Sequence, residues 1–344
     1  MAGDTEERSW LGQLRGSATE AKARLKADAE QRATEAKREG SIILNQKDVL
    51  TGKWDASKVL FTTLGGQVRP IAADDLAAFR RNIATAQSKF TKGITAKQVI
   101  DWSLADDRKR AARQITMAVP VSSQNGIVRF ITNAGPDSKV SRHHIIVEFL
   151  NYGAEASSGL TNPRKAALRL RKGPLKFECD CERHRYWYRY IATIGGYNAG
   201  RAETGYPKIR NPELYGIACK HILRVMSDIE SGGAALGFLT RLMDKAKSSD
   251  EAKAALRQKQ ADAEKVIKNQ ARKTTGNEIK TSEQKRQERQ AARDRKGYGE
   301  AAQKAQKPAR KASATKRTST DRAAEWLAKQ FGLTPEVVFS GDVP

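Results

Sequence analysis

Apolar residues recur at helical spacing in the first part of the central chain. Residues 74–90 place Leu76 and Phe79 on one face, and acidic residues occupy the first turn, where the helix dipole favours negative charge. This pattern predicts an amphipathic helix. Thr95 is a residue type that caps a helix N-terminus, so a second, shorter helix is predicted to follow it. A third helix is predicted over residues 106–114.

The pattern then changes from a helical to a strand-like period. Two runs, residues 115–121 and 127–132, flank Asn125-Gly126, a dipeptide that supplies the positive φ angles of a tight hairpin turn. Three later runs are also predicted to be strands. They cover residues 142–149, 175–181 and 185–194. Together the helices and strands predict an α+β core built on an antiparallel sheet.

A long segment without apolar periodicity follows the last predicted strand. Residues 195–216 contain five glycines and two prolines, a composition that predicts a long ordered loop. Helical spacing returns in residues 222–226, and a further amphipathic stretch follows Gly232-Gly233 and ends near Met243. We expect core packing to end there.

The two ends of the chain have polar, helix-favouring compositions. Residues 1–40 are rich in Ala, Glu, Lys and Arg and offer no strong apolar stripe, which predicts a solvated helix or an arm that orders on a partner. The core is followed by a basic tract, in which a helix is predicted from Ser249-Asp250 to about Arg272 and a flexible linker over residues 301–318. The predicted domains are an N-terminal arm (1–40), a core (41–246), a basic helical or extended arm (247–319) and a C-terminal docking hairpin (320–344).

Apolar residues reappear at the C-terminal end of the chain, in residues 320–344. Their spacing predicts two short helical turns that share one apolar face. The segment is too short to bury that face by itself. An exposed apolar face of this kind is typical of a segment that docks on a partner. The predicted docking residues are Trp326, Leu327, Phe331, Val337 and Phe339.

All three cysteines of the chain lie in one region, where they form two short pairs with one histidine. Cys179 and Cys181 make a C-x-C pair, and Cys219 and His221 make a C-x-H pair after 37 intervening residues. Three thiolates and one imidazole are a donor set for tetrahedral zinc. Because residues i and i+2 share a face only on an extended chain, the first pair is predicted on a strand. The second pair is predicted at a helix N-terminus, which would lower the pKa of Cys219.

Three other interpretations of these residues remain open from the spacing. Buried, reduced cysteines can fill space in a core without binding anything. A disulfide would use two of the three thiols. His184 could replace His221 as the fourth ligand, since C-x-C-x-x-H is a workable spacing for zinc.

The residues Cys179, Cys181, Cys219 and His221 resemble the pattern of the SWIM-type zinc finger, a small ββα unit. The resemblance covers about 45 residues and implies a Zn²⁺ ion held by these four side chains, in a protein that binds nucleic acid or protein. Four protein ligands leave no open position for water, so the zinc is expected to be structural. The predicted fold is therefore an α+β core whose antiparallel sheet carries a structural zinc clamp, flanked by long helical or extended arms.

The chain carries a formal net charge of +24, which is distributed unevenly. The net charge is zero over residues 1–40, +13 over 41–240, +13 over 241–320 and −2 over 321–344. A positive field of this size attracts nucleic acid or an acidic protein surface. The aromatic residues 186–188 could stack on bases or pack in the core. The predicted nucleic-acid contacts are Arg164, Lys165, Arg169, Arg171, Lys172, Arg183, Arg185 and Arg189.

An enzymatic function is not expected from the motifs of this sequence. It contains no phosphate-binding loop, no Gly-x-Ser-x-Gly, no carboxylate cluster for a metal and no C-x-x-C redox pair. His143-His144 is the best catalytic candidate, but no nucleophile accompanies it on its predicted strand, so we interpret it as a structural or solvent-facing pair. We expect no small-molecule substrate.

The sequence also predicts the compartment in which the chain is made. No run of 18 apolar residues is present, so no membrane segment is expected. The N-terminus lacks the basic start and apolar stretch of a signal peptide, and the cysteines have a metal-binding rather than a disulfide pattern. Synthesis in a reducing cytoplasm is therefore predicted.

A second and broader resemblance covers about 110 residues. Residues 177–226, with Ala134-Gly135-Pro136 and residues 141–144, are similar to uncharacterised virion structural proteins of tailed bacteriophages. The resemblance implies a zinc-stabilised virion component, made in the host cytoplasm, whose arms bind other virion proteins or copies of itself. The alternative is a basic SWIM-type protein that associates with DNA.

Overall fold

In a computed structural model of the protein, most helices pack around one antiparallel sheet. The residues described are 2–38, 41–53, 58, 60–90, 93–136, 138–157, 162–248, 255–273, 278–306, 325–326 and 329–330. The helices are α1 (Ala2–Lys37), α2 (Gln46–Thr51), α3 (Ala73–Ser88), α4 (Ala96–Trp102), α5 (Ala105–Gln114), α6 (Tyr152–Ser157), α7 (Pro163–Leu170), α8 (Arg189–Ile194), α9 (Lys220–Ser231), α10 (Ala234–Ser248), α11 (Gln260–Lys273) and α12 (Ser282–Gln306). The strands are β1 (Phe61–Thr62), β2 (Arg69–Pro70), β3 (Ala118–Gln124), β4 (Ile127–Asn133), β5 (Arg142–Phe149), β6 (Leu175–Cys179) and β7 (Leu256–Arg257). A π-helical turn, His184–Tyr188, leads directly into α8.

The main sheet contains five strands in the order β6-β5-β4-β3-β7, and every neighbouring pair is antiparallel. Buried and less buried residues alternate along β5, so one face of the sheet is packed against the interior. The predicted α+β class with an antiparallel sheet is therefore confirmed.

Local sequence signals account for the elements that were predicted best. Asn125 and Gly126 both have positive φ angles, 52° and 76°, as a two-residue hairpin turn between β3 and β4 requires. At the start of α4, the Thr95 side chain accepts a hydrogen bond from the Gln98 backbone, and the Gln98 side chain accepts one from the Thr95 backbone. The Asn162 side chain caps α7 by accepting a hydrogen bond from the Lys165 backbone N–H, and Pro163 is the first helical residue.

Helix α9 is the central helix of the core. One side of it packs against α4 and α5, and it also contacts strands of the sheet. Helix α10 lies against α7 and β3. The buried residues of α9 include Ile222, Val225 and Ile229, which recur every three or four positions and form the apolar stripe that the sequence predicted.

The strand predicted over residues 185–194 is wrong, because this segment is helical. Aromatic and β-branched residues are enriched there, and this enrichment favours a strand. The buried positions nevertheless include His184, Tyr188 and Ile191, whose spacing fits a helix. Packing in the core therefore overrides the local strand propensity of this segment.

Core packing does not end near Met243 as expected. Strand β7 pairs with β3 and extends the sheet, and Ala263 of α11 is fully buried. The helix predicted from Ser249-Asp250 to Arg272 is also shorter than expected, since residues 255–259 precede α11 and include a strand. Residues 249–254 lie outside the described part of the chain.

Helix α1 packs on the core through polar contacts. Arg24 Nη2 lies 3.3 Å from Asp180 Oδ2, and Arg32 Nη2 lies 2.8 Å from Glu203 Oε1. Asp28 is buried and accepts a hydrogen bond of 2.9 Å from the Tyr186 hydroxyl. The predicted helix is thus present. It has no strong apolar stripe, and partly buried ion pairs hold it against the core instead.

The chain divides into two compact units, residues 1–284 and residues 285–344. Helix α12 begins in the first unit and continues in the second. Its side chains from residue 283 to 296 are all exposed. Residues 301–306, predicted as part of a flexible linker, are helical, and residues 307–318 lie outside the described part.

Candidate metal centre

Four potential metal ligands converge where the end of strand β6 meets the start of helix α9. Cys179 is the last residue of β6, and Cys181 follows two residues later. Cys219 is the N-cap of α9, and His221 lies in its first turn. The ligand atoms all lie within 4.8 Å of one another, and all four side chains are buried. These residues form a cluster that could hold a metal ion.

The surroundings of Cys219 favour its thiolate, and the helix N-terminus that the sequence predicted contributes to this effect. Burial alone would raise the pKa of the Cys219 thiol, but hydrogen bonds from the two other thiols and from the backbone N–H groups of Ile222 and His221 lower it well below its usual value. Burial and the neighbouring thiols raise the pKa of Cys179. Three thiolates can therefore coexist here only when a cation compensates their charge.

The donor geometry is compatible with zinc. In a tetrahedral site, a Zn–S bond of about 2.3 Å and a Zn–N bond of about 2.0 Å place the sulfur and nitrogen atoms roughly 3.5 Å apart. His221 Nδ1 lies 4.0 Å from Sγ of both Cys179 and Cys219, so a small contraction would bring these atoms into a tetrahedral shell. The His221 Nε2 atom, on the far side of the ring, has no hydrogen-bond partner among the described protein atoms. The orientation of the ring thus suits ligation through Nδ1.

The structure also separates the interpretations that the spacing left open. All three cysteines are free thiols, with no disulfide among them. His184 is not part of the cluster. Its Nε2 atom lies 3.2 Å from Glu178 Oε2, and its backbone N–H donates to Cys181 Sγ at 3.3 Å. The fourth donor is therefore His221, and His184 instead stabilises the Cys181 sulfur through its backbone.

Asp180, between the two cysteines of the first pair, connects the cluster to its surroundings. Its Oδ1 atom lies 2.7 Å from His143 Nδ1 and accepts the His144 backbone N–H at 3.2 Å. The His143 ring lies 4.2 Å from the His221 ring, measured between centroids. Burial opposes ionisation of Asp180, but its contacts with the two histidines lower its pKa overall. His143 therefore supports a ligand ring, and His144 turns the other way, with Nε2 3.1 Å from the Ser17 hydroxyl of α1.

A second buried network lies on the other side of strand β6. The Glu178 carboxylate contacts the Arg189 guanidinium through Oε1 and the His184 ring through Oε2. Burial opposes the ionisation of Glu178, yet the contacts with His184 and Arg189 lower its pKa overall. A side chain at Gly200 would collide with this carboxylate, since a Cβ atom there would lie 2.5 Å from Glu178 Cδ. The long loop thus passes directly over the ion pair.

The two ligand pairs stand before and after the loop over residues 195–216 in the sequence. This segment contains no helix or strand longer than an isolated bridge. It is anchored at one end by the bridge between Phe177 and Asn198, and in the middle by the bridge between Asn45 and Gly205. A bound metal would tie the strand before this loop to the helix after it, so the metal-binding free energy would contribute directly to folding.

The eight predicted nucleic-acid contacts do not form one surface. Arg164, Lys165 and Lys172 are exposed on α7 and just after it. Arg169 is also exposed and pairs with Glu155 at 2.8 Å.

The other four arginines have structural contacts. Arg171 donates to the carbonyl groups of Ile229 and Glu230 at the end of α9. Arg183 lies 3.6 Å above the Trp187 ring and bonds to Asp107. Arg185 is buried near Asp28, and Arg189 is buried on Glu178. The expectation of an exposed surface is therefore wrong for Arg185 and Arg189, because each compensates a buried carboxylate.

The predicted aromatic and docking residues have different environments. Tyr188 is fully buried, Trp187 is partly buried beneath Arg183, and Tyr186 remains 36% exposed. Tyr188 is thus a core residue, as one of the two interpretations held. Trp326, in helical conformation, is 61% exposed. The docking residues Leu327, Phe331, Val337 and Phe339 lie outside the described part of the chain.

No known protein family, curated protein or solved structure significantly matches this chain. Within the described residues, no helix is both long and apolar enough to cross a membrane.

Proposed function

We propose that this protein is a zinc-stabilised structural component of a tailed-phage virion, which binds neighbouring subunits through its arms. The observation that carries the proposal is the exposure of helix α12. Every side chain from residue 283 to 296 is exposed, although this stretch belongs to a helix that runs from Ser282 to Gln306. A helix that is polar on all sides buries no face of its own in a core and commonly bridges separate parts of a protein through solvent. In this proposal α12 is the arm that reaches a neighbouring subunit.

The metal cluster and the C-terminal arm have separate roles in this proposal. The metal cluster, with four buried protein ligands, holds the core together and leaves no open coordination position for chemistry. Later in the sequence than the long polar helix lies Trp326, whose side chain is 61% exposed. Exposed tryptophan is a frequent anchor of protein interfaces. The assignment to a virion comes from the resemblance that residues 177–226 suggest in the sequence.

Removal of residues 320–344 is expected to abolish incorporation into particles while leaving the core intact. The deletion removes the docking residues but none of the metal ligands or the buried core. Incorporation is measured as the amount of the chain that sediments with particles. Zinc content and the midpoint of thermal unfolding should equal those of the full chain.

A matched pair of variants separates docking from segment length. Replacing Trp326 and Phe331 by serine should reproduce the deletion, whereas Thr320→Ser with Ser340→Thr should not. Normal incorporation of the deleted chain would refute the docking role, and so would a loss of zinc together with the core structure.

A DNA-associated protein is the alternative, favoured by the exposure of Arg164, Lys165 and Lys172 around α7. In that case, changing all three to glutamine should weaken the salt dependence of DNA binding. The plot of log affinity against log salt should become less steep by about three, because each neutralised phosphate contributes roughly 0.9 to the steepness. Our proposal predicts only weak, sequence-independent binding, carried mostly by residues 241–320. The triple variant should then bind DNA like a control with exposed residues changed elsewhere. That control is Arg81→Gln, Lys89→Gln and Lys109→Gln.

A further inference from the structure

A groove with a cavity of about 330 Å³ lies between the chain after α1 and the loop over residues 203–210. Three of its apolar side chains are substantially exposed: Ile42 at 63%, Ile209 at 38% and Tyr186 at 36%. A volume of this size accommodates an aromatic side chain. Grouped apolar exposure beside a cavity is characteristic of a binding surface. We call this surface the loop groove.

The charge of the loop groove is one-sided. Among its described lining residues, Glu203 is the only carboxylate, and its Oε1 atom already receives Arg32 Nη2 and the Gly205 backbone N–H, both at 2.8 Å. Lys208 and Arg210 also line the groove, and neither forms an ion pair with a carboxylate in the described part of the chain. Burial lowers the pKa of the Lys208 ammonium. A carboxylate supplied by a bound partner would offset that burial.

The chain itself contains a segment with the complementary chemistry. Residues 332–344 include Glu336 and Asp342 but no lysine, arginine or histidine. Three consecutive apolar residues, 337–339, follow Glu336 and end in Phe339. An acidic residue three positions before an aromatic anchor matches a groove in which a basic residue borders an apolar cavity.

We infer that the loop groove receives the acidic C-terminal segment, residues 332–344, of a second copy of this chain. Phe339 enters the cavity, and Glu336 pairs with Lys208. The inference rests on the proposed function, in which the C-terminal segment is the anchor between subunits, and it identifies the receiving surface. Because the segment and the groove are different surfaces, the contact is heterologous and links copies head to tail.

Photo-cross-linking of the full-length protein tests this contact. p-Benzoylphenylalanine is placed at position 339, and equal amounts of unlabelled and ¹⁵N-labelled chains are mixed before irradiation. Mass spectrometry then identifies the linked peptides and the isotope content of each half. We expect links to the groove segments 42–44 and 203–210, in pairs that combine a light and a heavy half.

A charge exchange tests the pairing within the contact. Lys208→Glu should lower the yield of these cross-links roughly tenfold, because it places like charges opposite each other. Adding Glu336→Lys should restore the yield. Lys109→Glu, an equal change at an exposed position outside the groove, should leave it unchanged. Unaltered zinc content and thermal midpoint confirm that the Lys208 variant is folded.

The outcomes separate this inference from the proposed function. Cross-links that map outside the groove, links only within single chains, or a charge exchange without rescue would overturn the groove contact. If particle incorporation still depends on residues 320–344 in that case, the virion role stands and the anchor binds elsewhere. If deletion of the segment has no effect on incorporation, both fail.

Discussion

The Cys219→Ser variant is expected to lose its bound zinc and to unfold at a much lower temperature than the parent chain. Cys219 is fully buried and occupies the N-cap position of helix α9, and its hydrogen bonds hold the pKa of its thiol well below the usual value. Serine cannot supply a thiolate, so the remaining three ligands bind zinc weakly. Zinc binding that is coupled to folding contributes on the order of 10 kcal/mol in small zinc domains. A loss of several kcal/mol is therefore expected here, which is exceptional for one substitution.

Thermal unfolding followed by circular dichroism, with metal analysis of the same samples, measures this effect. Treatment of the parent protein with a strong chelator should lower its midpoint to that of the variant. Ala218→Ser is the matched control, because it adds a hydroxyl at the adjacent, fully buried position and keeps every ligand. It should retain zinc and lose only about 1–3 kcal/mol. A Cys219→Ser chain with the parent's midpoint would show that the cluster is merely core packing.

The Glu178→Ala variant should be the next most destabilised chain, by about 3–5 kcal/mol. The substitution leaves Arg189, which is 2% exposed, as a buried cation without its carboxylate. It also removes the partner of the His184 ring. Glu178, Arg189 and His184 are not ligands of the metal cluster, so the zinc content of Glu178→Ala should equal that of the parent chain. This result would distinguish Glu178→Ala from Cys219→Ser.

Two further comparisons test whether the loss of stability in Glu178→Ala comes from an uncompensated buried charge. Removing both charges, as in Glu178→Gln with Arg189→Met, should cost less than Glu178→Ala alone, since no buried charge is left uncompensated. The exposed pair formed by Arg169 and Glu155 provides the contrast, and Arg169→Ala should cost less than about 1 kcal/mol. Chemical denaturation gives the free energies of unfolding. A cost below about 1 kcal/mol for Glu178→Ala would contradict the importance assigned to this network.

The features that the sequence predicted well depend on neighbouring residues. The hairpin turn follows from the positive φ angles of Asn125 and Gly126, and the start of α4 follows from the Thr95 cap. The metal cluster also belongs to this group. Each short pair sets its own local geometry, on a strand end or at a helix N-terminus, and the donor types are specific enough to indicate that the two pairs meet.

The features that the sequence missed depend on contacts between distant residues. Arg189 was assigned to the surface because of its charge, but its partner Glu178 lies on a different element. Helix α1 has no apolar stripe, so its docking through Arg24 and Arg32 could be recognised only once Asp180 and Glu203 were placed beside it. Pairing of β7 with β3 joins residues more than 130 positions apart, which no local pattern in a basic tract indicates.

The central claim is that Cys179, Cys181, Cys219 and His221 hold one structural zinc ion. X-ray absorption spectroscopy at the zinc edge, combined with elemental analysis of the full-length protein purified without added metal, tests it most directly. The account predicts one zinc per chain, with three sulfur neighbours at about 2.3 Å and one nitrogen neighbour at about 2.0 Å. A zinc content near zero, or a shell containing oxygen from water in place of a sulfur or the nitrogen, would contradict it.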